Sequence, residues 1–462
     1  ALRRRGTRRL PLALGPLITL IWFATAAAAS PDYVGVDRCA QCHQPEAELW
    51  RGSHHDLAMT DATEQTVLGD FDNAEFSAQG VSSRFYRKDD DFLVRADGPD
   101  GRLHDYKIRY TFGWYPLQQY LIEFPDGRLQ SLGIAWDTRP REEGGQRWFH
   151  LYPDEVMNHN HPLHWTGREQ TWNYQCAECH STHLEKNYDL ATDSYQTSWS
   201  EIDVACEACH GPGSNHVAWA AAAAADPAAE RDANKGLVID FADRDAAVWQ
   251  TDPQTGKPQR SKPRTSHTQI ELCARCHARR GQIWDDYEYG KPLYNTHRLA
   301  LLEEQLYFPD GQIKDEVYVY GSFIQSRMYA AGVTCTDCHE PHSLKLRAEG
   351  NGVCATCHFP SRYDTPAHHH HPENSQSSAC IACHMPATTY MQVDDRSEDI
   401  TRALLEVAAE IGCETGDTLR LSTQRGTADV VVEVSDTMAQ GHVSLPNGTG
   451  IDYTQADGTI QH

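Results

Sequence analysis

Seven times the sequence places two cysteines three positions apart and a histidine directly after the second. The sets are Cys39-Cys42-His43, Cys176-Cys179-His180, Cys206-Cys209-His210, Cys273-Cys276-His277, Cys335-Cys338-His339, Cys354-Cys357-His358 and Cys380-Cys383-His384. They take fourteen of the fifteen cysteines and leave only Cys413. Two thiols at this spacing can bond the two vinyl groups of one porphyrin, and the adjacent imidazole can ligate its iron, which is the attachment chemistry of c-type haem. A zinc ribbon or a disulfide framework needs no histidine after the second cysteine, and a thioredoxin-like pair would occur once. Histidine is roughly one residue in eighteen here, so seven coincidences out of seven exclude chance. Seven covalently bound haem c groups are expected.

The seven motif histidines are then the proximal ligands, and what sits opposite each decides the chemistry. Two strong axial ligands give a closed, electron-carrying iron, whereas an open face gives a potential catalyst. Of 25 histidines, eighteen lie outside the motifs, against six methionines in the chain, so bis-histidine ligation is the expectation. Several stand near motifs. His54 and His55 close the phrase Trp50-Arg51-Gly52-Ser53-His54-His55, and His216 lies six residues beyond His210. His342 follows His339 by three residues, too near to reach around its own porphyrin, so it is expected to ligate a neighbouring haem.

The elements that must position these groups are unevenly spread. Successive motifs begin 137, 30, 67, 62, 19 and 26 residues apart, which is no repeat period. The long first gap reads as β: Ser83–Tyr86 and Phe92–Val94 are aromatic and β-branched runs, and Gln119–Phe124 alternates before Pro125-Asp126-Gly127 and resumes at Leu129–Trp136. Phe308-Pro309-Asp310-Gly311 followed by Glu316–Tyr320 predicts a second hairpin. The alanine run Ala218–Ala225, stopped by Asp226-Pro227, predicts a helix end and a linker to about Pro263. A further helix is expected over about 400–411. Haems can supply core that packing elements would otherwise provide, and mean hydropathy is −0.61. The expected fold is therefore mainly α with little regular structure, of the multihaem cytochrome c kind. It would carry a small antiparallel β insertion after the first haem and a β-rich tail.

The beginning of the chain has the layout of an export signal: Arg3, Arg4, Arg5, Arg8 and Arg9, then a largely apolar Leu10–Phe23, then Ala26–Ala29. Fourteen apolar residues fall short of the ~20 that span a bilayer, so a cleaved leader over 1–29, no membrane span thereafter, and a periplasmic or otherwise exported protein are expected. With 41 Lys+Arg against 65 Asp+Glu the net charge is −24, and about −29 without the five leader arginines. Such a surface disfavours nucleic acid and steers basic docking partners, as well as keeping the protein in solution. Redox proteins with basic docking surfaces are the expected partners; the oligomeric state is left open.

From about Tyr33 to Met391 the chain resembles the multihaem c-type cytochromes often joined to tetratricopeptide repeats, which share their haem arrangement with the nitrite reductase and hydroxylamine oxidoreductase superfamily. The phrases that carry this are Gln146–Pro153, Cys176–Thr182, Asp315–Ser322 and Tyr363–His371, with His164–Arg168 and the histidine-bearing phrases above. The resemblance implies His55, His150, His164, His216, His297, His342 and His370 as distal ligands. His54, His369 and His371 are near-equal substitutes, and His159, His161, His183 and His267 fit the pattern less well. Past Met391 the likeness ends. Gly416–Gly426 and Gly441–Gly448 are instead similar to about half of the molybdopterin-dinucleotide-binding barrel of molybdenum oxidoreductases, read here as a β tail that packs or pairs without a pterin. The expected organisation is a leader (1–29), a first haem segment (30–65), the β insertion (66–140), the multihaem domain (141–397) and the tail (398–462). Three functions remain open: an electron relay; an oxidoreductase acting on nitrite, hydroxylamine or a sulfur oxyanion at one open iron; and a docking subunit of a molybdenum enzyme. Nitrite reductases often mark the open iron with Cys-x-x-Cys-Lys, which does not occur here, while hydroxylamine-type enzymes bond a tyrosine to the porphyrin, and 20 tyrosines are present.

Overall fold

The structure is a computed structural model that describes residues 30–227, 232–241, 247–308, 311–385, 387–390, 393–397, 418–423, 426–431, 453–454 and 460–461. The leader, Cys413, the helix expected over 400–411 and most of the tail lie outside the described residues. Within them, the sheet overturns the expectation of a mainly α fold. Nine strands form one antiparallel sheet: β1 (Met59–Asp61), β2 (Ala74–Ala78), β3 (Val81–Lys88), β4 (Asp91–Asp97), β5 (Leu103–Phe112), β6 (Leu117–Glu123), β7 (Leu129–Ser131), β8 (Ile134–Asp137) and β9 (Arg147–His150). The order is β2-β3-β4-β5-β6-β8-β9, with β1 on β5 and β7 on β6. β2 and β9 touch, so the sheet nearly closes on itself. Gln79, at the β2–β3 turn, helps to seal the gap: its Nε2 donates to the Tyr152 carbonyl at 2.8 Å and its Oε1 accepts from the Met157 amide at 2.9 Å.

Sequence alternation builds this sheet, and it reaches beyond the short runs singled out above. Ser83 and Phe85 of β3, then Phe92, Val94 and Ala96 of β4, point inward while their neighbours are more exposed. Phe85 lies flat on Trp148 at 3.6 Å, and Phe71 stands edge-on to Phe85, Phe92, Tyr120 and Trp148. An aromatic core of this size gives the sheet substantial packing energy of its own. The helices, by contrast, are short. The longest among the described residues are Ser214–Ala225 (12 residues) and Thr268–His277 (10), and most others are one turn. The alanine helix stops at Asp226, where the chain is extended. The second predicted hairpin is corrected. The Phe308 amide donates to the Gln312 carbonyl at 2.9 Å, but Val319–Phe323 is a helix, with Tyr318 before it at φ 58°.

The other face of the sheet reaches the haem motifs. Met59, Tyr110, Phe112, Leu121 and Leu129 pack with Trp172 and with Ala177, a residue inside the second motif. The buried Asn173 side chain fixes the join, accepting from the Leu129 amide at 2.8 Å and donating to the Gly127 carbonyl at 3.1 Å. Buried Gln130 does the same for the segment before it, donating to the carbonyls of Trp165 and Gly167 and accepting from Thr171. Beyond the sheet, small antiparallel pairs connect the motifs, among them Trp249–Thr251 with Pro258–Arg260 and Arg280–Gln282 with His297–Leu299. The tail contributes Thr418–Thr423 paired with Gly426–Val431.

Candidate haem-binding sites

Each motif is wound on a short helix or beside one: Val36–Ala40, Ala177–His180, Cys206–His210, Thr268–His277, Cys335–Cys338, Gly352–Ala355 and Cys380–His384. On a helix, positions three and four apart share a face, so both thiols and the imidazole of a motif can meet one flat cofactor. All fourteen described cysteines are free of disulfides. Twelve are half-buried, while Cys42 of the first motif and Cys383 of the last are exposed. Among the described residues no three His, Cys, Asp or Glu side chains converge on a point that could hold a bare metal ion.

The spacing of imidazoles gives a direct fit test. Metal–imidazole bonds are about 2 Å, so two rings on opposite sides of one metal have centres about 6 Å apart once each ring radius is added. His43 and His216 have ring centres 6.1 Å apart with planes 28° from parallel. His55 and His277 are 6.3 Å apart and tilted by 47°, and His368 and His384 are 6.1 Å apart and nearly parallel at 12°. The fourth association is His342 with His210. Burial first, then His342, His43 and His216, holds His210 down at about 4. His55 is likewise held at about 4 by burial, then by His277 and His54. Neutral imidazole is the form a metal binds. The residues present fit the haem groups that the motifs imply.

Hydrogen bonds at Nδ1 orient several of these rings. His216 Nδ1 donates to the Lys235 carbonyl at 2.8 Å, His180 Nδ1 donates to the Ala58 carbonyl at 2.9 Å, and His342 Nδ1 meets Glu340 Oε1 at 2.9 Å. A ring that donates from Nδ1 leaves Nε2 as a lone pair for iron. The same test sets three expected distal ligands apart. His150 Nδ1 accepts from the Tyr152 amide at 3.0 Å, so Nε2 carries the proton; the ring lines a cavity of about 40 Å³ in the β core. His164 is held at both ends, Nε2 on Asp97 Oδ2 at 2.9 Å and Nδ1 on Thr166 Oγ1 at 2.8 Å. His297, fully buried, has Nε2 on Glu178 Oε1 at 3.0 Å and Nδ1 on Thr296 Oγ1 at 2.9 Å.

His370, the expected ligand from the histidine run, is exposed with φ 59°, and it is His368 that faces His384. His54 lies by Tyr115, His183 stacks on Tyr33 at 4.0 Å, and His267 caps its helix beside the Tyr329 hydroxyl. His159 bonds Asn160, His161 Nδ1 accepts the Leu163 amide, and His369 Nδ1 accepts the amide of His371, itself exposed. His180, His210, His339 and His358 have no imidazole ring contact among the described residues, His210 standing edge-on to Phe241 at 5.4 Å. His358 still senses His384 and His368, which with burial lower it. Around His180 the sheet supplies the walls: Phe112 stands edge-on at 5.4 Å, and burial, the Ala58 carbonyl and the Glu316 carboxylate set its protonation. Tyr318 donates to that carboxylate at 3.0 Å.

The motifs also touch one another. Thiol contacts join Cys39 to Cys206, Cys179 to Cys276, Cys273 to Cys335 and Cys354 to Cys380. Cys209 lies within electrostatic reach of Cys276, and Cys338 of Cys357. In space the motifs therefore run first, third, fourth, fifth, sixth, seventh, with the second set against the fourth. The two exposed thiols lie at the two ends of this line.

The family model for cytochrome c554 and c-prime matches residues 38–78 and 146–211, which hold the first three motifs. No curated protein matches the sequence. The solved structure of the outer cell wall cytochrome OcwA is similar over 80% of this chain and 83% of that one, at 16% identity and a TM-score of 0.46. Among the described residues no helix is long and apolar enough to cross a membrane. Seven attachment motifs, three of them inside a cytochrome family match, support a multihaem c-type cytochrome that carries covalently bound haem c.

Proposed function

We propose that the chain is an exported heptahaem c-type cytochrome that relays single electrons between redox partners, largely through bis-histidine irons. The unbroken line of neighbouring motifs, from the exposed Cys42 to the exposed Cys383, carries this reading. Relay needs porphyrins close enough for electrons to tunnel from one to the next and accessible edges at both ends. The axial pairs His43/His216, His277/His55, His384/His368 and His210/His342 are the ligand assignments. His342 serves a haem other than that of its neighbour His339, as its position in the sequence requires. A basic partner suits a chain of net charge −24. The test is intact mass with a pyridine haemochrome assay on the mature protein, followed by rapid reduction from one added donor. Seven haems reduced as one connected set support the reading; fewer than seven, or isolated subsets, overturn it.

His180 favours a second reading, an oxidoreductase with one open iron at the second motif. No imidazole faces it among the described residues, and Glu316 is the titratable group nearest it in effect. A high-spin iron that binds hydroxylamine or nitrite, and is lost in His180→Ala, would establish it. Seven low-spin irons inert to both would exclude it.

A further inference from the structure

The junction of the second and fourth motifs contains a buried charge cluster that the relay does not explain. Glu178, inside the second motif, receives Arg275 Nε at 3.1 Å, Arg280 Nη2 at 2.9 Å and His297 Nε2 at 3.0 Å. All four side chains are nearly hidden, at 8%, 12%, 9% and 0% exposure. Arg275 belongs to the fourth motif and spreads its guanidinium over Tyr287 at 4.6 Å. Arg280 Nη2 also donates to Cys179 Sγ at 3.2 Å, and Cys179 in turn meets Cys276. One carboxylate faces two guanidiniums, so this cluster is net positive inside a chain of net charge −24. Buried charge acts over its neighbourhood with little screening.

We propose that the buried cluster, in which the guanidiniums of Arg275 and Arg280 outnumber the single carboxylate of Glu178 and His297 holds that carboxylate in place, raises the reduction potential of the haems at the second and fourth motifs. The branch point is then where electrons on the wire collect. The inference rests on the haem reading above. A ferric iron that takes one electron loses one positive charge, so nearby positive charge favours the reduced form; no proton and no other group moves. The hydrogen bond to the Cys179 sulfur acts in the same direction, by drawing electron density from the attachment edge. The high-potential pair would fill first and hold an electron next to His180, which lies edge-on to Phe112 and within electrostatic reach of Glu316.

The test is a mediated spectroelectrochemical titration of the full-length protein. Glu178→Gln removes the negative member and should raise the potential of one or two of the seven haems. Arg280→Gln removes a positive member and should lower the same haems. Each shift should be at least tenfold in the reduction equilibrium, about 59 mV for a one-electron couple. Arg280→Lys keeps the charge and should restore most of the original value even where packing suffers. Shifts of the same sign in both charge variants, or none at full haem content, would overturn the proposal. A wild-type protein without haem would instead sink the haem reading itself.

Discussion

Removing one imidazole from the histidine run separates a ligand from its neighbours. His368 and His384 sit 6.1 Å apart with planes 12° from parallel, the separation at which both can bond one iron. His370 turns outward and is exposed. His368→Ala should therefore free one axial position in seven, so about one seventh of the haem iron turns high-spin and carbon monoxide binding rises by one equivalent per chain. His370→Ala and His371→Ala should leave both readings at the wild-type level. Added imidazole should restore the low-spin signal in His368→Ala, because it refills a vacant coordination site rather than repairing a fold. Electron paramagnetic resonance and gas titration read the two effects independently. A gain of one equivalent in His370→Ala with none in His368→Ala would refute the ring-spacing argument for all three pairs it assigns.

Other outcomes follow from packing and charge. Phe85→Ala empties the aromatic core beneath Trp148 and should cost about 3–5 kcal/mol in urea unfolding of the sheet. Gly127 turns at φ +79°, and a Cβ there would strike the Tyr195 carbonyl, so Gly127→Ala should cost more than the ~1–2 kcal/mol of left-handed strain alone in the same assay. Burial pushes the Glu178 carboxyl up, but the His297 hydrogen bond and the two arginines outweigh it and hold it at about 2. Its contribution is complete above the ordinary value of 4.5 and lost as pH falls toward 2, on the order of 3 kcal/mol, so acid melts of wild type should steepen there and those of Glu178→Gln should not. Asp203 has the opposite sign. Burial, then Glu201 and Asp56, raise it to about 7, so its charge opposes folding above that pH and the penalty fades as pH drops through 7. Asp203→Asn should melt higher at pH 8, by roughly 2 kcal/mol after discounting for partial exposure, with no gain at pH 4.

The attachment residues were legible because their chemistry fixes both type and spacing: two vinyl carbons demand two thiols and one iron demands an imidazole. The opposing ligands were less so, because nothing local marks a ring that reaches an iron held by another segment. The rings of His216 and His55 lie 6.1 and 6.3 Å from those of His43 and His277, in the first and fourth motifs, a neighbourhood that spacing alone does not reveal. His164 and His297 looked equivalent to them in sequence. What distinguishes them is a carboxylate on Nε2, supplied by Asp97 and Glu178 from 67 and 119 residues away. The fold was misjudged for a related reason. Short aromatic runs in β3, β4 and β6 were visible one by one, yet only their pairing across nine strands shows that they enclose a core. His368 was within the flagged run, and only the turn at His370 decides which member of it faces inward.

The crossed supply of axial imidazoles bears on how the molecule is matured. Under the proposed pairing, an iron at Cys39 would wait for residue 216, and one at Cys273 would draw on residue 55, already far upstream. Cofactors stitched on as the polypeptide emerges would stay incompletely ligated until distant stretches arrive, so ligation ties the two ends of the sequence into a single act of assembly.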